Sequence, residues 1–195
     1  KWKVAGLIIG LLCVLVPLTA RSEGDLTVSI DGKPVRMGME DYLVCVVAAE
    51  MPASYEMEAL KAQAIAARTR VAGTSCQSHP EADVCTDSAC CQGFLDTQAQ
   101  ARRWGEDTEA YRARILEAVR ETEGLIMTYD GEPIEVLYHA VSGGYTEDVE
   151  QVYHEALPYL RAVPSPGEED ASGYETVQTF TQAELCAAFP DAANK

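Results

Sequence analysis

Two stretches of alternating hydrophobic and polar residues predict β-hairpins. Apolar and polar positions alternate from Leu26 to Ile30, Asp31-Gly32 can turn the chain, and residues 35–37 return. Further along, residues 125–129 and 134–140 flank the sequence Asp-Gly-Glu-Pro, whose turn-forming residues predict a second hairpin. Both hairpins would consist of short antiparallel strands.

Three other stretches predict helices. Residues 41–49 are almost continuously apolar behind an aspartate, which favours a buried helix that ends at Met51-Pro52. A second helix, rich in strong helix formers, is predicted from Ser54 to Gly73, and a third over residues 108–122. Helical spacing places the following residues on the buried faces of the second and third helices: Leu60, Ala64, Ala67, Val71, Ile115, Val119 and Thr122. Hairpins and helices in separate stretches are typical of an α+β fold.

The first residues have the pattern of a targeting segment. Lys1 and Lys3 precede a run of 16 residues, 4–19, that carries no charge. This run is short of the roughly 20 residues that span a bilayer comfortably, and Leu18-Thr19-Ala20 is a weak cleavage site. We therefore predict that residues 1–21 are a signal peptide or a membrane anchor, with a buried core helix as the third alternative. The basic flank would leave residues 22–195 outside the cytoplasm as one domain, truncated at its C-terminal end.

The charge of the chain excludes some classes of partner. The 195 residues carry a formal net charge of −16. Binding to nucleic acid or to an anionic membrane surface needs clustered Lys and Arg, so neither is expected. An uncharged glycan would tolerate an acidic protein, although solubility alone is the commoner reason for such a charge.

A short polar segment between residues 75 and 91 is unusually rich in potential metal ligands. Four of the seven cysteines lie there, together with one histidine. His79, Cys85, Cys90 and Cys91 present an imidazole and up to three thiols at a spacing that suits tetrahedral zinc. Disulfides and free thiols are the alternatives, and six cysteines would allow 15 pairings. A catalytic zinc is disfavoured because no motif such as HExxH lies nearby.

One acidic residue, Glu50, stands out because it ends the apolar segment VCVVAAEMP. A carboxyl group at the end of a buried element is partly desolvated, which favours the protonated form that a general acid needs. The alternative is a salt bridge to a basic residue of the next helix, for which Lys61, Arg68 and Arg70 are available.

Three longer motifs carry a family resemblance. They read YLVCVVAAEMPASYEMEALKAQAIAARTR, HPEADVCTDSACCQGF, and GLIMTYDGEPIEVLYHAVSGGYTEDVEQVY followed by LPYLRAVPSPGEED. They occur in this order between Asp41 and Asp170, and the first is the most specific because it combines the AAEMP and KAQA elements. By these motifs the chain resembles the stage II sporulation protein D family.

The resemblance implies roles for particular residues. Glu50 matches the family's catalytic acid, whereas Lys61, Gln63 and Arg68 match polar positions that line a substrate cleft. The expected fold is accordingly α+β, with short antiparallel hairpins and helices packed around that cleft. Three further residues, in or next to the YHAVSGG element, are expected to contact the substrate: Tyr138, Ser142 and Gly143.

The resemblance also bears on the metal. His79, Cys85 and Cys91 match a structural zinc site that occurs in some members of the family. This chain has Cys90 where other members often have histidine, so either Cys90 or Cys76 would complete the site.

The chemistry implied by the resemblance is lytic transglycosylation of peptidoglycan. A single glutamate would cleave the bond between N-acetylmuramic acid and N-acetylglucosamine and leave a 1,6-anhydro end. The implied partners are a wall amidase, which would strip the stem peptides first, and a membrane protein of the engulfment complex. Two other functions remain open: a glycan-binding enhancer of a wall amidase that cleaves nothing itself, and a zinc hydrolase built on His79 and the cysteines.

Overall fold

The protein was analysed as a computed structural model that describes residues 14–17, 25–171 and 174–189. The chain divides into two compact units, residues 1–137 and 138–195, and each unit is described by itself. Within the described ranges the first unit combines four helices with two three-stranded sheets, which confirms the α+β prediction.

The first sheet contains the first predicted hairpin. Strands β2 (Asp25–Ile30) and β3 (Lys33–Gly38) pair antiparallel in the expected register. The turn residues Asp31 and Gly32 have φ angles of 50° and 73°, the left-handed conformation that a two-residue hairpin requires. Strand β4 (Val84–Cys85) adds to the other edge of β2 in parallel, a pairing that the local pattern did not indicate.

Helices α1 (Met39–Glu50) and α2 (Met57–Gly73) follow the hairpin. The buried helix predicted over residues 41–49 is confirmed, and it ends where Met51 turns to an extended conformation. The predicted start of α2 at Ser54 is wrong by three residues. Glu56 still has an extended backbone, and the preceding residues form a turn in which the Tyr55 N–H donates to the Pro52 carbonyl.

Helix α3 (Thr97–Trp104), a 3₁₀ turn and helix α4 (Thr108–Glu121) complete the helical layer. The third predicted helix is confirmed as α4, whereas α3 was not predicted. Its N-cap is Asp96, whose carboxylate accepts a hydrogen bond from the Ala99 N–H at 2.7 Å. All seven residues that were predicted to be buried are buried; the six apolar ones form one core with α1, and Thr122 is the C-cap of α4.

The second sheet contains, in spatial order, β1 (Val14–Pro17), β5 (Leu125–Tyr129) and β6 (Glu132–Pro133). Strands β5 (Leu125–Tyr129) and β6 (Glu132–Pro133) form the second predicted hairpin around Asp130 and Gly131. The return strand predicted over residues 134–140 is wrong, because the ladder ends at Pro133. Proline has no N–H to extend a ladder, and most of the residues that follow are exposed.

Most of the predicted signal or anchor segment lies outside the described residues. The part that the structure describes is β1 (Val14–Pro17), which pairs antiparallel with β5. Among the described residues there is no helix of the length and apolar character that crossing a bilayer needs.

The second unit is built around two extended segments. The Thr146 N–H donates to the Val163 carbonyl and the Ser165 N–H to the Gly144 carbonyl, both at 2.9 Å. Helices α5 (Val149–Tyr153) and α6 (Gln182–Ala188) are short.

Candidate functional site

Glu50 is the last residue of α1, and its side chain is half-buried. The Gly93 N–H donates a hydrogen bond to Glu50 Oε1 at 2.7 Å. A carboxylate in the last turn faces the negative end of the helix dipole, which costs the helix about 0.3–1 kcal/mol. Helix stability therefore does not account for an acidic residue at this position.

Gly93 approaches the Glu50 carboxyl group more closely than any other residue type could. A Cβ atom added at Gly93 would lie 2.7 Å from Glu50 Oε1 and 3.3 Å from Ala49 Cβ. The sequence analysis missed Gly93 as a site residue. The sequence does place a glycine two residues after Cys91. Glycine has no side chain, so it allows the backbone to approach another group this closely.

The end of α1 that carries Glu50 is held by two arginines of the later helices. Arg103 Nη1 donates to the Ala48 carbonyl at 3.2 Å. Beyond the helix, Arg114 Nε donates to the Ala53 carbonyl at 3.1 Å, and its Nη2 donates to the Tyr55 carbonyl at 2.8 Å. These bonds satisfy carbonyl groups that the helix end and the following turn leave unpaired, so the backbone on both sides of Glu50 is fixed.

Lys61 does not pair with Glu50. Its ammonium group lies 2.7 Å from Glu58 Oε1 and 2.6 Å from Glu121 Oε2. The hydrogen bond to Glu121, followed by the one to Glu58, raises the pKa of Lys61. Lys61 therefore joins α2 to the end of α4, and its predicted contact with a substrate stays a prediction.

Arg68 is buried, with only 4% of its surface exposed, and its guanidinium group is engaged within the fold. Nη2 lies 2.7 Å from Glu40 Oε2 and donates to the Val119 carbonyl at 3.1 Å. Nη1 contacts Thr122 Oγ1 at 3.4 Å. Arg68 thus connects the first turn of α1 with the end of α4, and its predicted role in the cleft also stays a prediction.

The third basic candidate, Arg70, pairs with another carboxylate as well. Its Nη1 lies 3.4 Å from Glu135 Oε1, and its Nε donates to the Cys91 carbonyl at 3.0 Å. Glu50 takes part in no ion pair within the described part of the chain. The alternative interpretation of Glu50, a salt bridge to a basic residue of α2, is therefore not observed, because Lys61, Arg68 and Arg70 each pair with another carboxylate.

Gln63 is the predicted site residue with an unused polar atom. Its side chain is on the buried face of α2, with 7% of the residue exposed, and its Nε2 has no hydrogen-bond partner among the described residues. A buried donor without a partner costs about 1–3 kcal/mol. Such a donor calls for a bound water or another partner, and the predicted contact of Gln63 with a substrate stays a prediction.

Four cysteine sulfurs lie together at the other end of the segment that leads to Gly93. The Sγ atoms of Cys76, Cys85, Cys90 and Cys91 are all within 4.8 Å of one another. Cys76 and Cys90 are 3.8 Å apart and Cys90 and Cys91 are 3.9 Å apart. Zn–S bonds of about 2.3 Å in a tetrahedron place the sulfurs about 3.8 Å apart, so the four thiols fit a zinc ion.

The cysteines of this cluster are free thiols with different acidities. Hydrogen bonds from Ser78 lower the pKa of the Cys90 thiol to about 6, whereas burial raises the pKa of Cys91. A metal would bind the thiolate forms, so its binding would release protons.

His79 is the predicted ligand that the structure places outside this cluster. Its Nδ1 lies 3.4 Å from Glu81 Oε1, and Cys76 is the fourth member of the group instead. The structure thus brings Cys85, Cys90 and Cys91 together as predicted. Their fourth neighbour is Cys76, the alternative candidate, and not the histidine. Four thiolates would fill a tetrahedral coordination sphere, which is the composition of a structural zinc site.

The segment between the cysteine cluster and Glu50 is bound to α2. Only Gln92 separates Cys91 from Gly93, and Gln92 Nε2 donates to the Ala67 carbonyl at 3.4 Å. The cluster and the Glu50 contact therefore share one short, anchored stretch of chain.

The remaining predicted site residues belong to the second unit. Tyr138 is 41% exposed, Ser142 is half-buried and Gly143 is exposed. Gly143 and Gly144 have φ angles of 76° and 99°, so they form a tight turn that requires glycine. Ser142 donates through both its N–H and its hydroxyl group to Glu168 Oε2, at 2.8 Å and 2.7 Å.

Comparison with known proteins gives a consistent result. A sequence model described as stage II sporulation protein matches residues 33–129. The chain is 38% identical over 151 residues to stage II sporulation protein D of Bacillus subtilis, which covers 75% of this chain and 44% of that protein. It is 37% identical, with the same coverage, to the protein of that name from Bacillus amyloliquefaciens. The matched part of the chain therefore spans less than half the length of these two relatives.

A relative with a different name matches as well. The chain is 35% identical over 117 residues to a Bacillus subtilis protein named amidase enhancer, which covers 60% of this chain and 14% of that protein.

Proposed function

The chain belongs to the stage II sporulation protein D family, and on that premise we propose that it is a peptidoglycan lytic transglycosylase with Glu50 as its acid and base. The observation that carries the proposal is the Glu50 carboxyl group, held at Oε1 by the Gly93 N–H and free of ion pairs within the described residues.

The contact with Gly93 suits a general acid. A protonated carboxyl group has one acceptor oxygen and one O–H donor. Because the Gly93 N–H donates to Oε1, the proton is directed to Oε2, which would face the glycosidic oxygen. The backbone amide thus decides which oxygen atom delivers the proton.

One residue can complete the proposed reaction. Glu50 protonates the glycosidic oxygen between N-acetylmuramic acid and N-acetylglucosamine, and the bond from that oxygen to C1 of the muramic acid breaks. The Glu50 carboxylate then removes the proton of the muramic C6 hydroxyl group, whose oxygen attacks C1 to give the 1,6-anhydro product. Water takes no part, so the second carboxylate of most glycosidases is not required.

Other predicted residues would bind and orient the glycan. Gln63 Nε2 is buried without a partner among the described residues, so the Gln63 side chain would have to turn outward to donate to a substrate carbonyl or hydroxyl oxygen. Within the second unit, Tyr138 and Ser142 would bind the glycan through their hydroxyl groups, and Gly143 would allow a sugar to approach the backbone. Lys61 and Arg68 would act at longer range, since both are paired within the fold.

The proposed cofactor is one structural zinc ion held by Cys76, Cys85, Cys90 and Cys91. When bound, it would cross-link the polar segment before Gly93 and supply no step of the reaction. These four cysteines are the only ligands that we propose for the zinc ion.

We place this activity in the cell wall, on the outer side of the membrane, and in sporulation, which the name of the closely matched relatives indicates. The substrate would be glycan strands that a wall amidase has stripped of stem peptides. The proposed partners are that amidase and a membrane protein of the engulfment complex, with residues 1–21 as membrane anchor or signal peptide. No contact with nucleic acid is proposed for a chain of net charge −16.

The second candidate is a non-catalytic enhancer of a wall amidase, which the 35% identity to the amidase enhancer favours. To separate the two, the chain is incubated alone with denuded glycan strands, and in a second series with intact sacculi and a wall amidase. A transglycosylase releases short glycan fragments from the denuded strands without help. An enhancer releases none, but it increases the amount of stem peptide that the amidase sets free.

A further inference from the structure

Glu168 lies in the second unit at the Ser142–Gly144 turn. It falls within the motif LPYLRAVPSPGEED, but neither the resemblance nor the proposed reaction gives it a role. The antiparallel pairing of residues 144–146 with residues 163–165 returns the chain to this turn. A second turn, in which Gly167 has a φ angle of 89°, then directs Glu168 back toward Ser142.

Both oxygen atoms of the Glu168 carboxylate are used, but on different partners. Oε2 accepts hydrogen bonds from Ser142 N at 2.8 Å, from Ser142 Oγ at 2.7 Å and from Gly144 N at 3.3 Å. Oε1 accepts one from Ser165 Oγ at 2.7 Å. Hydrogen bonds to a carboxylate are about twice as strong as neutral ones, so this cluster is a strong local constraint.

The backbone of the turn is shaped to receive that carboxylate. Two successive glycines with positive φ aim the N–H groups of Ser142 and Gly144 at one point, as in the anion-binding concavities formed by backbone amides. Without an anion there, these donors would have to find water. One oxygen of the Glu168 carboxylate satisfies all three donors, the two amides and the Ser142 hydroxyl group.

The same contacts determine how Ser142 can meet a substrate. A serine hydroxyl has one proton and two lone pairs, and Ser142 donates its proton to Glu168 in a hydrogen bond. The lone pairs of Oγ remain, so Ser142 can accept a hydrogen bond from a sugar hydroxyl but cannot donate one. A hydroxyl group whose proton is held by a carboxylate also carries more negative charge on its oxygen, which makes that oxygen a better hydrogen-bond acceptor.

We propose that Glu168 is a positioning residue, which shapes the Ser142–Gly144 turn for glycan and fixes Ser142 as a hydrogen-bond acceptor. The glycan in this inference rests on the proposed function, whereas the contact of Glu168 with the turn does not depend on it. Glu168 would not touch the substrate, since its carboxylate oxygens are occupied by the turn and by Ser165.

The chain offers a matched pair of variants. Glu168→Gln keeps the shape of the side chain but removes the charge, and so weakens all contacts of Oε2. Ser165→Ala removes the single contact of Oε1 and leaves the three contacts to the turn in place. If Glu168 merely stapled two segments together, both variants would act alike.

The experiment measures amide hydrogen exchange at Ser142 and Gly144 by NMR, together with the dissociation constant for denuded glycan strands. We expect Glu168→Gln to accelerate exchange at both amides by about tenfold and to weaken glycan binding by a similar factor. Ser165→Ala should change either quantity by less than about threefold. Thermal unfolding of both variants verifies that the fold is retained.

Unchanged exchange in Glu168→Gln, or an equal acceleration in Ser165→Ala, would overturn the positioning role. Faster exchange with unaltered glycan binding would also overturn it, because Glu168 would then have no effect on the glycan. Faster exchange with tighter binding would overturn it as well, because Glu168 would then compete with the glycan for the turn. If the parent chain binds no glycan at all, the proposed function fails, and the exchange data still decide whether Glu168 holds the turn.

Discussion

The backbone N–H of Gly93 lies 2.7 Å from Oε1 of Glu50, although 43 residues separate the two in the chain. The contact joins the end of α1 to the segment that follows the cysteine cluster. It leaves Glu50 with one anchored oxygen and no ionic partner within the described residues.

Glu50→Gln should abolish catalysis without harming the fold. The amide oxygen of glutamine can still accept the Gly93 hydrogen bond, and removal of a negative charge from the last turn of α1 is neutral or favourable, by less than about 1 kcal/mol. Loss of a general acid should slow glycan cleavage by at least about 100-fold. The exposed Glu117→Gln on α4 is the control and should retain full activity. A large drop in melting temperature for Glu50→Gln would assign that glutamate to stability instead.

Gly93→Ala should displace the Glu50 carboxyl group, because the new Cβ would lie 2.7 Å from Oε1. Misplacement of a reacting group by about 1 Å can cost about 100-fold in rate, whereas the overpacking itself costs about 1–3 kcal/mol. Gly38→Ala is the matched control, since its Cβ would meet Asp41 Oδ2 at an ordinary 3.5 Å. Comparable cleavage rates for both variants would show that the approach of Gly93 to Glu50 is dispensable.

Glu40→Gln should destabilise the protein far more than Glu58→Gln. Removal of the Glu40 charge leaves the guanidinium group of Arg68 buried without a counter-ion, which costs about 3 kcal/mol. Glu58 is 84% exposed on its side chain, and Lys61 keeps Glu121 when it is lost. Thermal unfolding of the two variants measures the difference. Equal melting temperatures would mean that Arg68 is not held by Glu40 and is available for another role.

Cys76→Ser should reduce zinc binding, whereas His79→Ala should leave it intact. Cys76 belongs to the four-sulfur cluster, while His79 lies outside it beside Glu81. We expect one zinc per parent chain by elemental analysis, because four thiolates complete a tetrahedral site. Retention of the metal by Cys76→Ser together with its loss from His79→Ala would restore the histidine as the fourth ligand.

The Ser142–Gly144 turn should resist acid. Hydrogen bonds, first of all from the Ser142 hydroxyl group, lower the pKa of Glu168 from 4.5 to about 2. A carboxyl group with a lowered pKa in the folded state stabilises that state above pH 4.5, and this contribution is lost as the pH falls toward 2. Amide exchange at Ser142, corrected for its intrinsic pH dependence, should therefore stay slow at pH 4. An onset of fast exchange between pH 5 and 4 would contradict these contacts.

Local patterns were sufficient to predict the helix that carries Glu50, because an apolar run that ends in Glu-Met-Pro fixes both its burial and its end. They could not predict Gly93 as the neighbour of Glu50, since that contact depends on how distant segments pack. The same limit applies to the cysteine cluster. Spacing gives the possible donors, but the fold decides that Cys76 rather than His79 joins the other three.

The arginines show a second limit of the sequence. Arg68 was expected to line a cleft, and its residue type and position on α2 suit that role as well as the one in the structure. Its pairing with Glu40 is set by the packing of α1 and α4 against α2, which no local pattern contains. The start of α2 was missed for a simpler reason: residues 52–56 include good helix formers, yet they form a turn after Pro52, and Glu56 is extended before the helix begins.

The central claim is tested most directly by mass spectrometry of the products from denuded glycan strands, incubated with the parent chain and with Glu50→Gln. We predict fragments that end in 1,6-anhydro-N-acetylmuramic acid from the parent and none from the variant. Reducing ends from the parent would show that water is the nucleophile, and anhydro ends from both proteins would show that Glu50 is not the catalytic acid.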